Sequence, residues 1–98
     1  MTTTETTGLA LSALTLDAIQ AEATRAYLKH GEHSMLGPKT NDRRLAIAME
    51  EVGEVARELN DAVIEGRPVD RDKLVKELIQ CTAMFASWVE ALEGGRGH

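Results

Sequence analysis

Two acidic pairs at matching positions are the part of this 98-residue sequence best suited to chemistry. Glu51 and Glu54 stand three residues apart in the stretch EEVGEVARELN, and Glu77 stands three residues before Gln80 in KELIQ. On a helix that turns about 100° per residue, a step of three brings each pair onto one face, with Cβ atoms roughly 5–6 Å apart. Glu51 and Glu54 have the same offset from Val52 that Glu77 and Gln80 have from Leu78. Two helices packed through their apolar faces would therefore carry all four side chains to one half-buried edge, and Glu58 continues the strip. Carboxylates brought together repel one another and are costly to desolvate unless a cation lies among them. A hard divalent ion takes oxygen ligands; Mg²⁺, or Mn²⁺ in its place, keeps waters and completes its shell with substrate phosphates. Such a site orients a polyphosphate, stabilises charge at phosphorus and lowers the pKa of an attacking water. Spacing alone leaves a second reading open, in which the acids are a solvated helix face. The repulsive i,i+4 pairs Glu50–Glu54 and Glu54–Glu58 favour a cation.

The elements that must position these residues are three helices. The first is expected over residues 16–30, extended upstream by the apolar residues 9–14, with Gly31 ending it in a left-handed conformation. A loop follows around Gly37-Pro38. The second helix is expected over 42–65, capped by Thr40 or Asn41 and stopped by Gly66 and Pro68. Asp70 caps a third, over 71–92, closed by Gly94. Apolar positions recur in steps of three and four on both later helices: Leu45, Ala48, Met49, Val52, Val55, Ala56, Leu59, Ala62 and Val63, then Leu74, Val75, Leu78, Cys81, Thr82, Phe85, Val89 and Leu92. These stripes are expected to form the core of an all-α helical bundle. No stretch alternates with period two long enough to argue a strand. Residues 1–8 read as a disordered leader, 9–93 as a single helical domain and 94–98 as a flexible tail.

The motif pair EEVGEVARELN (residues 50–60) and KELIQ (residues 76–80), preceded by AYLKHGEHS, a loop and RRLAIAMEEVGE, resembles that of the all-α MazG-like nucleotide pyrophosphohydrolases. That family carries E-x-x-E, a spacer, then E-x-x-D, and Gly53 inside the first motif also fits. The resemblance spans residues 16–92. It implies Mg²⁺-dependent hydrolysis of a nucleoside or deoxynucleoside triphosphate to the monophosphate and pyrophosphate, in a homodimer or dimer of dimers. Carried over by position, Glu51, Glu54 and Glu77 match the metal ligands and catalytic acids. Gln80 stands where the family has Asp: its amide oxygen can still coordinate, but it brings no charge and cannot act as a base. Glu50 or Glu58 are the neighbours placed to take up part of that role.

For substrate contact, Lys29, Lys39, Arg43, Arg44 and Arg57 are the cations placed to meet a triphosphate. His30, His33 and Ser34 lie where the resemblance puts base and sugar contacts, and Met84 or Trp88 would wall a base pocket. For each, solvated surface or ordinary packing is the competing reading. Cys81, the single cysteine, has no His or second Cys at metal or nucleophile spacing and reads as a small buried filler.

Composition narrows the rest. A net charge of −5, from 16 acidic and 11 basic side chains, offers no basic face for nucleic acid. The lone cysteine allows no intrachain disulfide, the threonine-rich start lacks the pattern of a secretion signal, and no apolar run nears the roughly 20 residues that span a bilayer. A cytoplasmic protein with no membrane partner is expected. A chain this short buries only about 60–65% of its unfolded surface, so a second copy is expected to complete its core. Two rivals to the enzyme stand beside it: a nucleotide-binding bundle with weak or no turnover, motivated by Gln80, and a purely structural helical oligomer.

Overall fold

A computed structural model describes residues 10–95, and they form three helices: α1 (Ala13–His30), α2 (Asn41–Glu65) and α3 (Arg71–Glu93). The fold is all-α, with no strand among the described residues. The expected leader over 1–8 lies outside them, as does most of the tail. Among the described residues no helix is long and apolar enough to cross a membrane.

Each helix starts on a side-chain cap that accepts one of the N–H groups left unpaired by the first turn. Ser12 Oγ accepts from the Thr15 N–H at 3.1 Å, Thr40 Oγ1 from Arg43 at 3.2 Å and Asp70 Oδ1 from Lys73 at 3.1 Å. Thr40, not Asn41, is therefore the cap of α2, and α1 begins at Ala13, inside the upstream extension expected over 9–14. Gly66 ends α2 in the left-handed region at φ 66°, ψ 29°, a conformation glycine adopts without Cβ penalty. Gly31 also has positive φ, 57°, but its ψ of −124° lies away from the left-handed helical region, and the chain passes directly into a single 3₁₀ turn, Gly31–His33. At the end of α3 the positive φ belongs to Gly95, not Gly94.

α2 and α3 form an antiparallel hairpin. Lys73 in the first turn of α3 bonds Glu58 in the later part of α2, while Trp88, near the end of α3, donates from Nε1 to Asn41 Oδ1 at 2.9 Å. α3 is the central helix, packed on α2 and on α1; the backbones of α1 and α2 stay apart.

The core departs from expectation. Its buried apolar residues are small: Ala48, Ala62, Cys81, Ala83 and Ala91, together with Met35 from the loop. The larger members of the expected core stripes, Leu45, Met49, Leu59 and Val63 on α2 and Val75, Leu78, Phe85, Val89 and Leu92 on α3, are exposed. The physical reason is geometric. At roughly 100° per residue, the large residues sit about a quarter turn round from the buried positions on α2 and nearly half a turn round on α3. α1 packs on α3 and not on α2, and these large side chains stay exposed.

Candidate functional site

The segment between α1 and α2 is locked before it can contribute to a site. Gly37 is buried so closely against the Glu32 carbonyl that a Cβ would lie 1.8 Å from its oxygen. Arg44, expected to contact phosphate, is instead 0% exposed. Its Nε, Nη1 and Nη2 donate to the carbonyls of Met35 (2.9 Å), Lys39 (2.9 Å) and Gly37 (2.7 Å). Buried carbonyls need donors, and this guanidinium supplies three in one rigid fork; the phosphate assignment is corrected accordingly. Lys39, another expected phosphate contact, donates to the carbonyls of Glu32, Ser34 and Gly37. Burial first, then the neighbouring charges of Arg44 and Arg43, holds its amine below the usual lysine range. Ser34 Oγ donates to the Gly31 carbonyl and accepts from Leu36 N–H, which occupies it locally.

Fixed in this way, the loop walls one end of a cleft of about 370 Å³ between α1, the start of α2 and the second half of α3. Glu22, Arg25 and His30 reach it from α1, His33, Met35 and Leu36 from the loop, Arg43, Ile47, Glu50 and Glu51 from α2, and Gln80, Ala83, Met84 and Ser87 from α3. Of the residues singled out from sequence, Glu50, Glu51, Gln80, His30, His33, Ser34, Met84 and Arg43 therefore share one cleft. A second cavity of about 110 Å³ adjoins the hairpin further along and is lined by Glu54, Arg57, Glu58, Asp61, Lys73 and Glu77. Lys29 lies exposed on α1 and lines neither cavity.

The acids straddle the boundary between these two spaces. The Glu51 carboxyl is held above the ordinary carboxylate range by burial first, then by the charge of Glu54, a hydrogen bond shared with Glu54, and the charges of Glu77 and Glu22. Burial and then the charges of Glu51, Glu77 and Glu54 likewise push the Cys81 thiol up. Cys81 is thus the small buried filler expected from sequence, and it sits against the same acids. Glu77 Oε1 is buried without a hydrogen-bond partner among the described residues. As placed, however, no three His, Cys, Asp or Glu side chains among the described residues meet in a geometry ready to hold a metal. The structure brings the acids into one electrostatic neighbourhood and stops short of a closed ligand shell. The donor set still fits a hard divalent ion: all oxygen, with repulsion at Glu51 and an orphaned oxygen on Glu77 that a cation would relieve.

Glu58 takes no part in that neighbourhood. It is buried and paired with Arg67 Nη1 at 3.2 Å and Lys73 Nζ at 3.1 Å, and the hydrogen bonds from Arg67 and then Lys73 hold its carboxyl below the usual range. Its suggested role in replacing the missing Asp is therefore not what its contacts serve. Glu50 remains at the cleft rim. Trp88 stacks on Phe85, with ring centroids 6.3 Å apart, and does not line the cleft.

The residue that sequence reasoning missed is Glu22. It joins the acids from α1 while forking onto Arg25 at 2.9 and 2.6 Å, and that hydrogen bond, first among the causes, lowers its carboxyl. Arg25 in turn feels Glu51. The E-x-x-R spacing marked only a local ion pair; no spacing rule connects α1 to α2 across a ten-residue loop.

Comparison with protein-family models, curated proteins and solved structures returns no significant match.

Proposed function

We propose that the chain is a divalent-cation-dependent nucleoside triphosphate pyrophosphohydrolase, converting NTP or dNTP and water to the monophosphate and pyrophosphate. The supporting observation is the destabilised acid group: Glu51, which lines the cleft of about 370 Å³, raised beside Glu54 and Glu77, and Glu77 Oε1 buried without a partner among the described residues. Glu51, Glu54 and Glu77 would hold Mg²⁺ or Mn²⁺, with the Gln80 amide oxygen as a neutral fourth donor. When bound, the ion supplies charge neutralisation for phosphate oxygens and acidifies water. Water adds to the α-phosphorus, the bond to the bridging oxygen breaks, and pyrophosphate leaves. Arg25 and Arg43 line the cleft and face its anionic ligand, taking the place assigned from sequence to Arg44. Met84, Met35, Leu36 and Ile47 supply apolar surface for a base, with His33 at its edge.

Pyrophosphate release measured over a panel of nucleotides with Mg²⁺ tests this reading. Turnover by the wild type, with Glu54→Gln reduced at least about a hundredfold, is the expected result. No turnover of any nucleotide, with Glu54→Gln indistinguishable from wild type, overturns it.

Gln80 in the cleft wall favours a second reading, a bundle that binds nucleotide but turns it over slowly or not at all. That reading expects nucleotide to raise Tm without product, and turnover to appear in Gln80→Asp. A Tm indifferent to both Mg²⁺ and nucleotide would instead leave a structural oligomer.

A further inference from the structure

Glu22 on α1 shares the larger cleft with Glu51 and Gln80, although it stands outside both acidic pairs read from sequence. Its side chain is 17% exposed, yet the cation that forks onto it, Arg25, is 52% exposed and comes from the next turn of the same helix. With one member so open to solvent, such a pair is weak. The electrostatics show what else Glu22 faces. The Arg25 hydrogen bond comes first in lowering its carboxyl, burial opposes it, and the charges of Arg25 and then Lys76 add to the lowering. The charge of Glu22 in turn reaches Glu51. Lys76 and Gln80 are four residues apart and share one face of α3. Glu22 therefore lies against the turn of α3 where the E-x-x-D motif has its final carboxylate and this chain has an amide. The other acids considered for that role are placed differently: Glu58 is paired with Arg67 and Lys73, and Glu50 is exposed at the cleft rim.

We infer that Glu22 supplies, from outside the hairpin, the negative charge that Gln80 withholds from the Glu51, Glu54 and Glu77 group, and that Arg25 is a counter-ion shared between Glu22 and the substrate phosphates. The inference rests on the pyrophosphohydrolase reading and adds to it a residue for cation binding. Glu22, Glu51, Glu54 and Glu77 together bring as many carboxylates as the complete motif would. Mg²⁺ keeps several of its waters, so a carboxylate facing the ion through one of them still contributes its charge. That charge comes from the helix packed on α3, which carries Gln80. Once a divalent ion neutralises Glu22, the Arg25 guanidinium, already lining the cleft, is left to fork onto phosphate oxygens. Glu22 and Arg25 then act on a bare ion in opposite senses, one attracting it and the other repelling it.

Isothermal titration calorimetry of the full chain with Mn²⁺ alone, without nucleotide, tests the inference. Glu22→Gln should weaken Mn²⁺ binding at least about tenfold, and adding Gln80→Asp to it should recover the wild-type affinity to within about threefold. Arg25→Ala should tighten Mn²⁺ binding about threefold, while weakening a non-hydrolysable triphosphate analogue, titrated with Mn²⁺ present, at least about tenfold. Asp17→Asn removes the same charge at an exposed position of α1 outside both cavities. It should leave Mn²⁺ binding unchanged, with circular dichroism confirming helix content throughout. Mn²⁺ binding that is lost in Glu54→Gln yet indifferent to Glu22→Gln overturns the role of Glu22 and leaves the pyrophosphohydrolase reading standing. Equal weakening by Glu22→Gln and Asp17→Asn overturns it as well, since net charge alone then accounts for the effect. A wild type that binds no Mn²⁺ overturns the metal site as a whole.

Discussion

The two sides of the α2–α3 hairpin are made from the same two helices and treat their residues in opposite ways. One side buries the small residues Ala48, Ala62 and Cys81 and the charged Glu58, and half-buries Glu51 and Glu77. The other leaves Leu59, Phe85, Leu78 and Val63 in the open. Hydrophobic burial alone would choose the reverse, since a large apolar side chain gains about 1.5–3 kcal/mol on full burial and a carboxylate costs more than that unless it is paired. The acids are kept half-dry, where opposing charge has most effect, and the apolar rows stay exposed.

The contrast can be broken most severely at the loop. Arg44→Met removes three donors from buried carbonyls and should cost about 3 kcal/mol or more, lowering Tm in calorimetry by roughly 10 °C or more; a change under 2 °C would mean that those carbonyls find other donors. Next in size is a pair of substitutions one turn apart on α2. Ala48→Leu forces a side chain into the closed seam and should cost about 1–3 kcal/mol. Leu45→Ala, at an exposed position, should shift stability by less than about 0.5 kcal/mol. Urea unfolding distinguishes them, and equal costs would erase the difference between the two sides.

Smaller effects come from the acids, and their signs oppose. Glu51 has its folded pKa raised, so its contribution to stability is full below the unfolded pKa and lost as pH rises through the folded value. At pH 7 without divalent ion, Glu51→Gln should therefore raise Tm by a few degrees, with the gap closing below about pH 4; on the proposed metal site, Mg²⁺ should raise the Tm of the wild type and not that of the variant. Glu58 has its folded pKa lowered, so its contribution is present above the unfolded pKa and lost as pH falls through the folded value. Glu58→Gln should be less stable than wild type at pH 7 and converge with it near about pH 3. A thermal melt series from pH 3 to 8 reads both, and slopes of the same sign would contradict the assigned surroundings.

How much of this was legible in the sequence follows from which interactions are local. Caps, turns and helix ends act within four residues, so Thr40, Asp70 and Gly66 could be read directly. The 3.6-residue period showed that Val52 and Leu78 lie on apolar stripes, and that Glu51 and Glu77 flank them at the same offset. It could not say which flank would be buried, because that depends on where α1 docks. Hence Leu45 and Phe85 were expected inside and lie outside, while Glu22 was overlooked. Arg44 was read by charge, and what decides its place is the supply of bare carbonyls in a buried loop, a property of backbone conformation that residue types do not display.

The clamp of Arg44 and Lys39 on the loop bears on selectivity. Because the carbonyls on either side of the bend are tied to the first turn of α2, His33 and Met35 hold their positions whether the cleft is full or empty. A guest there meets a wall already shaped, with little ordering entropy left to lose on that side. Discrimination among guests at that end then rests on fit to a fixed outline, and any adjustment has to come from α1, whose backbone stands clear of α2.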